Sequence, residues 1–269
     1  MGSYLTSLGG PMWIPGEEKG VGEQLVQSMK DLRHHYLFVL IHTTPFFLVN
    51  LGDFGLKQLL PRGYSFVIDL KPDIDELWKK VEKRSRGAVN KAKKNGLRVH
   101  SAETFEDWEQ YYHLQIAHSK RKKFENLAYD LKTLRGLYRL SLDSKCTLLL
   151  CLKDDKPLAA VLWFFSRKLM VLHRNAWSDE EKLNANNLLF WESLLWGKNH
   201  DYQAADLGGA PVPGPGVNRG IYDFKRSWGG ARVFHNRYYQ GRLYGLAFKL
   251  SQQVPGVRGL VRQVAQRIS

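Results

Sequence analysis

Only two of the 269 residues are cysteine, Cys146 and Cys151. They end the run CTLLLC, which reads as a strand, and positions five apart on a strand point to opposite faces, so they do not bond to each other. With no third cysteine there is no disulfide framework and no zinc ligand set, and such usage fits a reducing compartment, the cytosol. Acids are scarce as well, with twenty-six Asp and Glu against forty Lys and Arg, for a formal charge of +14. No apolar run reaches the roughly eighteen residues that a membrane-spanning helix requires. The opening MGSYLTSLGG lacks the basic and apolar regions of a signal peptide. Its loose fit to the myristoylation pattern, through Gly2, Ser3 and Thr6, is read as coincidence. No GxSxG elbow occurs, and neither cysteine sits in a basic setting, which leaves no serine or cysteine nucleophile to build on.

What is present is a chain 43% hydrophobic and 12% aromatic, enough to bury a sizeable core. An excess of positive charge this large points to an anionic partner, either nucleic acid, nucleotide sugars or an anionic membrane surface, rather than to general solubility. The stretch around which the rest is organised is Asp206 to Gly230, DLGGAPVPGPGVNRGIYDFKRSWGG. Its glycines and Gly-Pro steps read as a loop with unusual backbone angles. Phe224, Lys225 and Arg226 then come together, an aromatic and two cations delivered by one loop, which suits an anionic substrate. A mobile surface linker is the plainer reading of the same composition.

Along the chain, helices are expected at 23–34, from Asp73 through the basic run to Gly96, at 104–117, 128–140 and 183–197. Strands are expected at 36–41, 64–70, 97–100, 146–152, 159–165, 168–175, 202–207 and, as one element, 232–240. Asp73 followed by Glu76 has the spacing of a capping box with Asp at the cap. The run Lys83 to Asn95 holds Lys83, Arg84, Arg86, Lys91, Lys93 and Lys94 with no acid between them. Such charges repel one another unless a polyanion lies near, although a solvated helix face is the commoner meaning of a charge run. A second cluster, His118 to Lys123, falls at a helix end, where cations suit the helix dipole. The tail beyond Leu243 reads as a basic amphipathic helix that rests on a membrane surface or packs on its own domain. The pattern is α+β, with a partial first half at 1–100, a second half at 101–242 carrying the glycine-rich substrate loop, and a tail at 243–269.

Four blocks stand in order: Gly9-Gly10-Pro11; FVIDL followed by ELWKKVEKRSRGAVNKAKKNGLRV; LNANNLLFWESLLWGKNHDYQAADLGG; and GIYDFKRSWGG. As an ordered set they resemble the FemABX family, the aminoacyltransferases that build peptidoglycan cross-bridges, and related acyltransferases of cell-envelope polysaccharide synthesis. The likeness runs from about Gly9 to Tyr239. It implies two pseudo-symmetric GNAT-like halves, the first incomplete here, because family members carry several dozen more residues before the Gly-Gly-Pro block.

The resemblance implies transfer of an aminoacyl group from aminoacyl-tRNA to an amine of a nucleotide- or lipid-linked peptidoglycan precursor, without a covalent enzyme intermediate, a cofactor or a metal. It places the protein in the cytoplasm, with peripheral contact at the anionic inner face of the plasma membrane. Phe224 and Lys225 match the family's Phe-Lys pair, so Lys225 is expected to stabilise charge at the tRNA end and Phe224 to stack. Asp206 either orients the amine or caps a turn. Arg226, Gly208, Gly209, Arg219 and Arg174 are the expected substrate contacts, and Arg84, Arg86, Lys91, Lys93 and Lys94 the phosphate contacts. The alternative is an acyl-CoA-dependent N-acyltransferase. Against it, the nearest pyrophosphate-loop match, Gln253 to Arg258, fails at its last position, and WSDEEKLNANN ahead of the 183–197 helix has three acids and no glycine. A basic RNA-binding module is the non-enzymatic alternative; no RNP or KH signature supports it.

Overall fold

A computed structural model describes residues 3–8, 18–32, 36–42, 50–58, 63–122, 130–178, 183–210 and 219–240. The expected tail helix and the Gly9-Gly10-Pro11 block lie outside the described residues. The chain divides into two compact units, residues 66–232 and residues 1–65 with 233–269. Residues 66–100, grouped with the first half on sequence, fall by contact in the 66–232 unit.

In the smaller unit, β1 (Ser3–Leu8), α1 (Glu18–Leu32), β2 (Tyr36–His42) and a 3-10 turn at Leu51–Phe54 precede β3 (Lys57–Gln58). Its sheet has the order β1-β2-β11-β3, where β11 is Arg237–Gln240 and runs antiparallel to β2 and β3. Buried Tyr238 donates its hydroxyl to Asn50 Oδ1 at 3.0 Å, tying β11 to the 3-10 turn.

The larger unit starts in β4 (Gly63–Asp69). Asp73 then caps α2 (Ile74–Lys80), its carboxylate accepting the Glu76 N–H at 2.8 Å, as its spacing implied. The expected single helix is broken at Val81 and resumes as α3 (Lys83–Lys94), which stops at Gly96 with φ +75°. Next come β5 (Arg98–Ser101), α4 (Phe105–Lys122), α5 (Leu131–Leu142), β6 (Cys146–Lys153), β7 (Lys156–Ser166), β8 (Leu169–Trp177), α6 (Ala185–Asn199), β9 (Ala204–Asp206), α7 (Gly220–Arg226) and β10 (Ala231–His235). Because α4 continues to Lys122, the described part of the His118 cluster forms the last turn of that helix, where Lys120, Arg121 and Lys122 face its dipole.

The seven-stranded sheet has the order β10-β4-β9-β8-β7-β6-β5. The antiparallel meander β6-β7-β8 forms its centre, and β8 meets β9 in parallel. Strand alternation sorts the core onto two faces. Leu148, Leu150, Leu162 and Cys146 pack with Trp108 and Tyr111 of α4 and Leu134 of α5. Trp163, on the opposite face, meets Phe190 of α6 at 6.4 Å, and Cys151 lies close enough to Glu192 of α6 to feel its charge. The two cysteines do therefore face opposite sides. Burial pushes their thiols up to about 11 and about 12, which makes both inert as nucleophiles.

Two further elements differ from the sequence expectation. The single strand at 232–240 is two, broken at Asn236, with β10 in one sheet and β11 in the other. The Asp206–Gly230 loop holds a two-turn helix, α7, so Phe224, Lys225 and Arg226 are presented by helical and not by irregular backbone. Among the described residues no helix is long and apolar enough to cross a membrane.

Candidate active site

The parallel pair β8–β9 is short. Leu169, Met170 and Val171 face Ala204, Ala205 and Asp206, and there β9 ends. Beyond that point β8 follows β7 as far as Trp177, while the chain after β9 stays with β4: Leu207 donates to the Phe66 carbonyl at 2.8 Å and Phe66 to the Gly208 carbonyl at 3.2 Å. The neighbours part, and a cleft of about 950 Å3 opens in the wedge. Its walls are β8 from Leu172 to Trp177, the start of α6, and the Ile221, Phe224 and Lys225 stripe of α7. Gln115, His118, Ser119 and Lys122 of α4 line it as well. Lys122, Arg174 and Lys225 contribute three cations, and among the described lining residues there is no Asp or Glu.

Lys225 Nζ donates to the Gly209 carbonyl at 2.7 Å. An ammonium has three protons, so this bond leaves two for a ligand. Gly208 sits at φ +72°, the left-handed region that this bend requires, and a Cβ there would meet Lys225 Nζ at 3.4 Å, an ordinary contact. Burial pushes the Lys225 amine down to about 8, and the Asp206 charge offsets part of that shift. Asp206 is itself buried, and its Oδ1 accepts the Gly208 N–H at 2.7 Å. This bond is the turn-capping geometry, and it shapes the bend that carries the Gly209 carbonyl to Lys225. Phe224 stands edge-on to Phe190 at 4.8 Å and to Trp228 at 5.8 Å, so the base of α7 is locked into aromatic core, and Phe224 also lines the cleft.

The remaining expected contacts divide. Arg174 and Gly209 line the cleft with Lys225 and Phe224. Exposed Arg219 immediately precedes α7 and is not among the lining residues, and neither is Gly208. Arg226 points away, to Glu82 at 3.3 Å. On α3, Arg86 donates through Nη1 to the carbonyls of Trp78, Lys79 and Val81, closing the end of α2. Lys93 pairs with Glu192 of α6 at 2.8 Å. That leaves Lys83, Arg84, Lys91 and Lys94 exposed, and the last three follow the spacing of one helix stripe.

Sequence reading missed the start of α6, where Asn184, Asn186 and Asn187 line the cleft, and it missed the α4 wall. A signal was present on α4: Gln115, His118, Ser119 and Lys122 recur at helical spacing, and the first three are buried although polar. Among the described residues no group of three or more His, Cys, Asp or Glu could hold a metal.

The sequence profile of a family described as an acetyltransferase (GNAT) domain matches residues 79–226, the span that builds this cleft. The chain belongs to that family. The GNAT domain places it among acyltransferases. No curated protein sequence is a significant match. Among solved structures, FemX is similar in fold at 16% identity and a TM-score of 0.72, covering 90% of this chain and 82% of FemX. The C-terminal domain of a putative lysylphosphatidylglycerol synthetase from Agrobacterium fabrum is similar at 15% identity and a TM-score of 0.64, over 90% of this chain and 78% of that one. L-PGS from Bacillus licheniformis is similar at 16% identity and a TM-score of 0.64, over 94% and 83%. These likenesses bear out the expected FemABX-like GNAT fold.

Proposed function

We propose that this GNAT domain moves an aminoacyl group from aminoacyl-tRNA to an amine of a peptidoglycan precursor, nucleotide- or lipid-linked, at the inner face of the plasma membrane. The observation that carries the reading is Lys225, whose ammonium stands at the wedge of a cleft with three cations and no described acid. In the reaction the acceptor nitrogen forms a bond to the ester carbonyl carbon, the carbon–oxygen bond to the ribose breaks, and the amine proton goes to the departing ribose oxygen. No protein nucleophile is needed. The chain supplies alignment and charge for the oxyanion that forms on the way. Lys225 donates to that oxyanion, Asp206 and Gly208 position the Gly209 carbonyl that holds Lys225, and Phe224 stacks on the adenosine at the tRNA end.

The four exposed cations of α3 are assigned to tRNA phosphates. Changing Arg84, Lys91 and Lys94 together to Gln is expected to lower the slope of log K against log salt by about 2 to 3, because each phosphate contact releases somewhat less than one counterion. A slope equal to that of the unaltered chain removes α3 from the interface.

A second reading is favoured by one feature, the start of α6 opening on the cleft through Ala185, Asn186 and Asn187. N–H groups at a helix start that lack a partner within the helix suit a pyrophosphate, and with it an acyl-CoA donor. Purified protein given labelled charged tRNA and labelled acyl-CoA in parallel, each with a peptidoglycan precursor, separates the two. Transfer from tRNA alone supports the first reading; transfer from acyl-CoA alone replaces it with the second.

A further inference from the structure

We propose that the group transferred in this cleft carries an uncharged, apolar side chain of several carbons, seated against Ile221 and Phe224, and that Ile221 sets the preference. The inference rests on the acyltransferase reading and names the class of group that is moved.

Ile221, Phe224 and Lys225 stand at i, i+3 and i+4 on α7, so they share one face, and all three line the cleft. Ile221 is 49% exposed. A large aliphatic side chain left uncovered inside a concave site is more informative than one on a convex surface, because a bound group is what would cover it. Leu172, Leu183 and Phe190 line the same space, and Phe190 is already packed edge-on against Phe224. Side chains at i and i+4 begin about 5–6 Å apart, so a carbonyl held by Lys225 has its own substituent within reach of Ile221. Charge points the same way. A second cation, carried on the side chain, would enter beside Lys122, Arg174 and Lys225, whose like charges repel it. At about 950 Å3 the cleft has room for a substituent well beyond a methyl group.

The test uses two ligand series on the full chain, titrated calorimetrically. One is puromycin, an adenosine analogue with a tyrosine-derived aminoacyl group in amide linkage, with its alanyl and lysyl counterparts. The other is hexanoyl- and acetyl-coenzyme A. Puromycin is expected to bind about tenfold or more tighter than the alanyl compound, and the lysyl compound more weakly than either. In Ile221→Ala the advantage of puromycin over the alanyl compound should shrink to about threefold or less. Binding confined to the coenzyme series makes the tRNA-donor reading fail without touching this one, which is then read from hexanoyl against acetyl, with the same advantage and the same loss in Ile221→Ala. Tightest binding by the alanyl, acetyl or lysyl member overturns the inference. So does an undiminished preference in Ile221→Ala, and so does a lack of binding in both series.

Discussion

Lys225→Met is expected to lower the transfer rate by about 10²- to 10³-fold, the usual loss when one oxyanion donor is removed, while the folded protein loses no stability. The two halves of this result have one cause. Lys225 is held where its charge is poorly hydrated, which is why its amine is pushed down to about 8. An isosteric apolar side chain removes that cost as well as the function, and stability is expected to stay equal or rise slightly.

The same shift fixes a pH dependence. Lys225 is charged below about 8 and neutral above it. Transfer that needs the ammonium therefore falls as pH rises through about 8, on top of the opposite limb set by deprotonation of the acceptor amine. Stability moves the other way. With a folded value near 8 and an unfolded value of 10.5, the native state sheds its proton first, so stability rises with pH between those values. Rate profiles and denaturant midpoints measured from pH 7 to 10.5 check both statements. In Lys225→Met the falling rate limb and the rise in stability should disappear together; a falling limb that persists in that variant assigns it to another group.

The second large effect is expected at Gly229→Ala. Gly229 has φ +78°, and a Cβ there would lie 2.6 Å from the Lys80 carbonyl oxygen and 2.8 Å from Lys80 Cβ. The first term costs about 1–2 kcal/mol for a residue with a side chain, and the second is a backbone collision that no rotamer relieves. Together they should destabilise the protein by at least about 3 kcal/mol. The turn from Ser227 to Gly230 is also the seat of α7. The Ser227 carbonyl accepts the Glu82 N–H at 2.8 Å, Ser85 donates to the Ser227 hydroxyl at 2.8 Å, and Trp228 is buried against Phe190. Displacing this turn moves Lys225 as well, so activity should fall with stability. Gly208→Ala is the contrast. It too has positive φ, but its nearest neighbour is the flexible tip of Lys225 at 3.4 Å, so activity should suffer more than the urea midpoint. Equal midpoints for Gly229→Ala and the unaltered chain would show that the Lys80 contact yields without cost.

Some of this protein was decided by the sequence alone, and the reason is that the signals were local. The cap at Asp73, the stop at Gly96, the CTLLLC hairpin strand and the helix carrying Trp191 and Leu194 each depend on residues a few positions apart, and each formed where its pattern placed it. The ordered set of four blocks pointed to the GNAT-like fold, and its Phe224-Lys225 pair led to two residues that line the cleft. Tertiary structure decided what depends on distant pairings. Whether six cations on α3 are free depended on Glu192 and on the open end of α2, which take Lys93 and Arg86. Whether 232–240 is one strand depended on which sheet accepted each end. The cleft itself exists because β8 and β9 part after three paired residues, a fact about where two chain segments find their hydrogen bonds. Only that parting brings the polar stripe of α4, the start of α6 and the Ile221 face of α7 around one lysine, and no periodicity within any one of them could announce it.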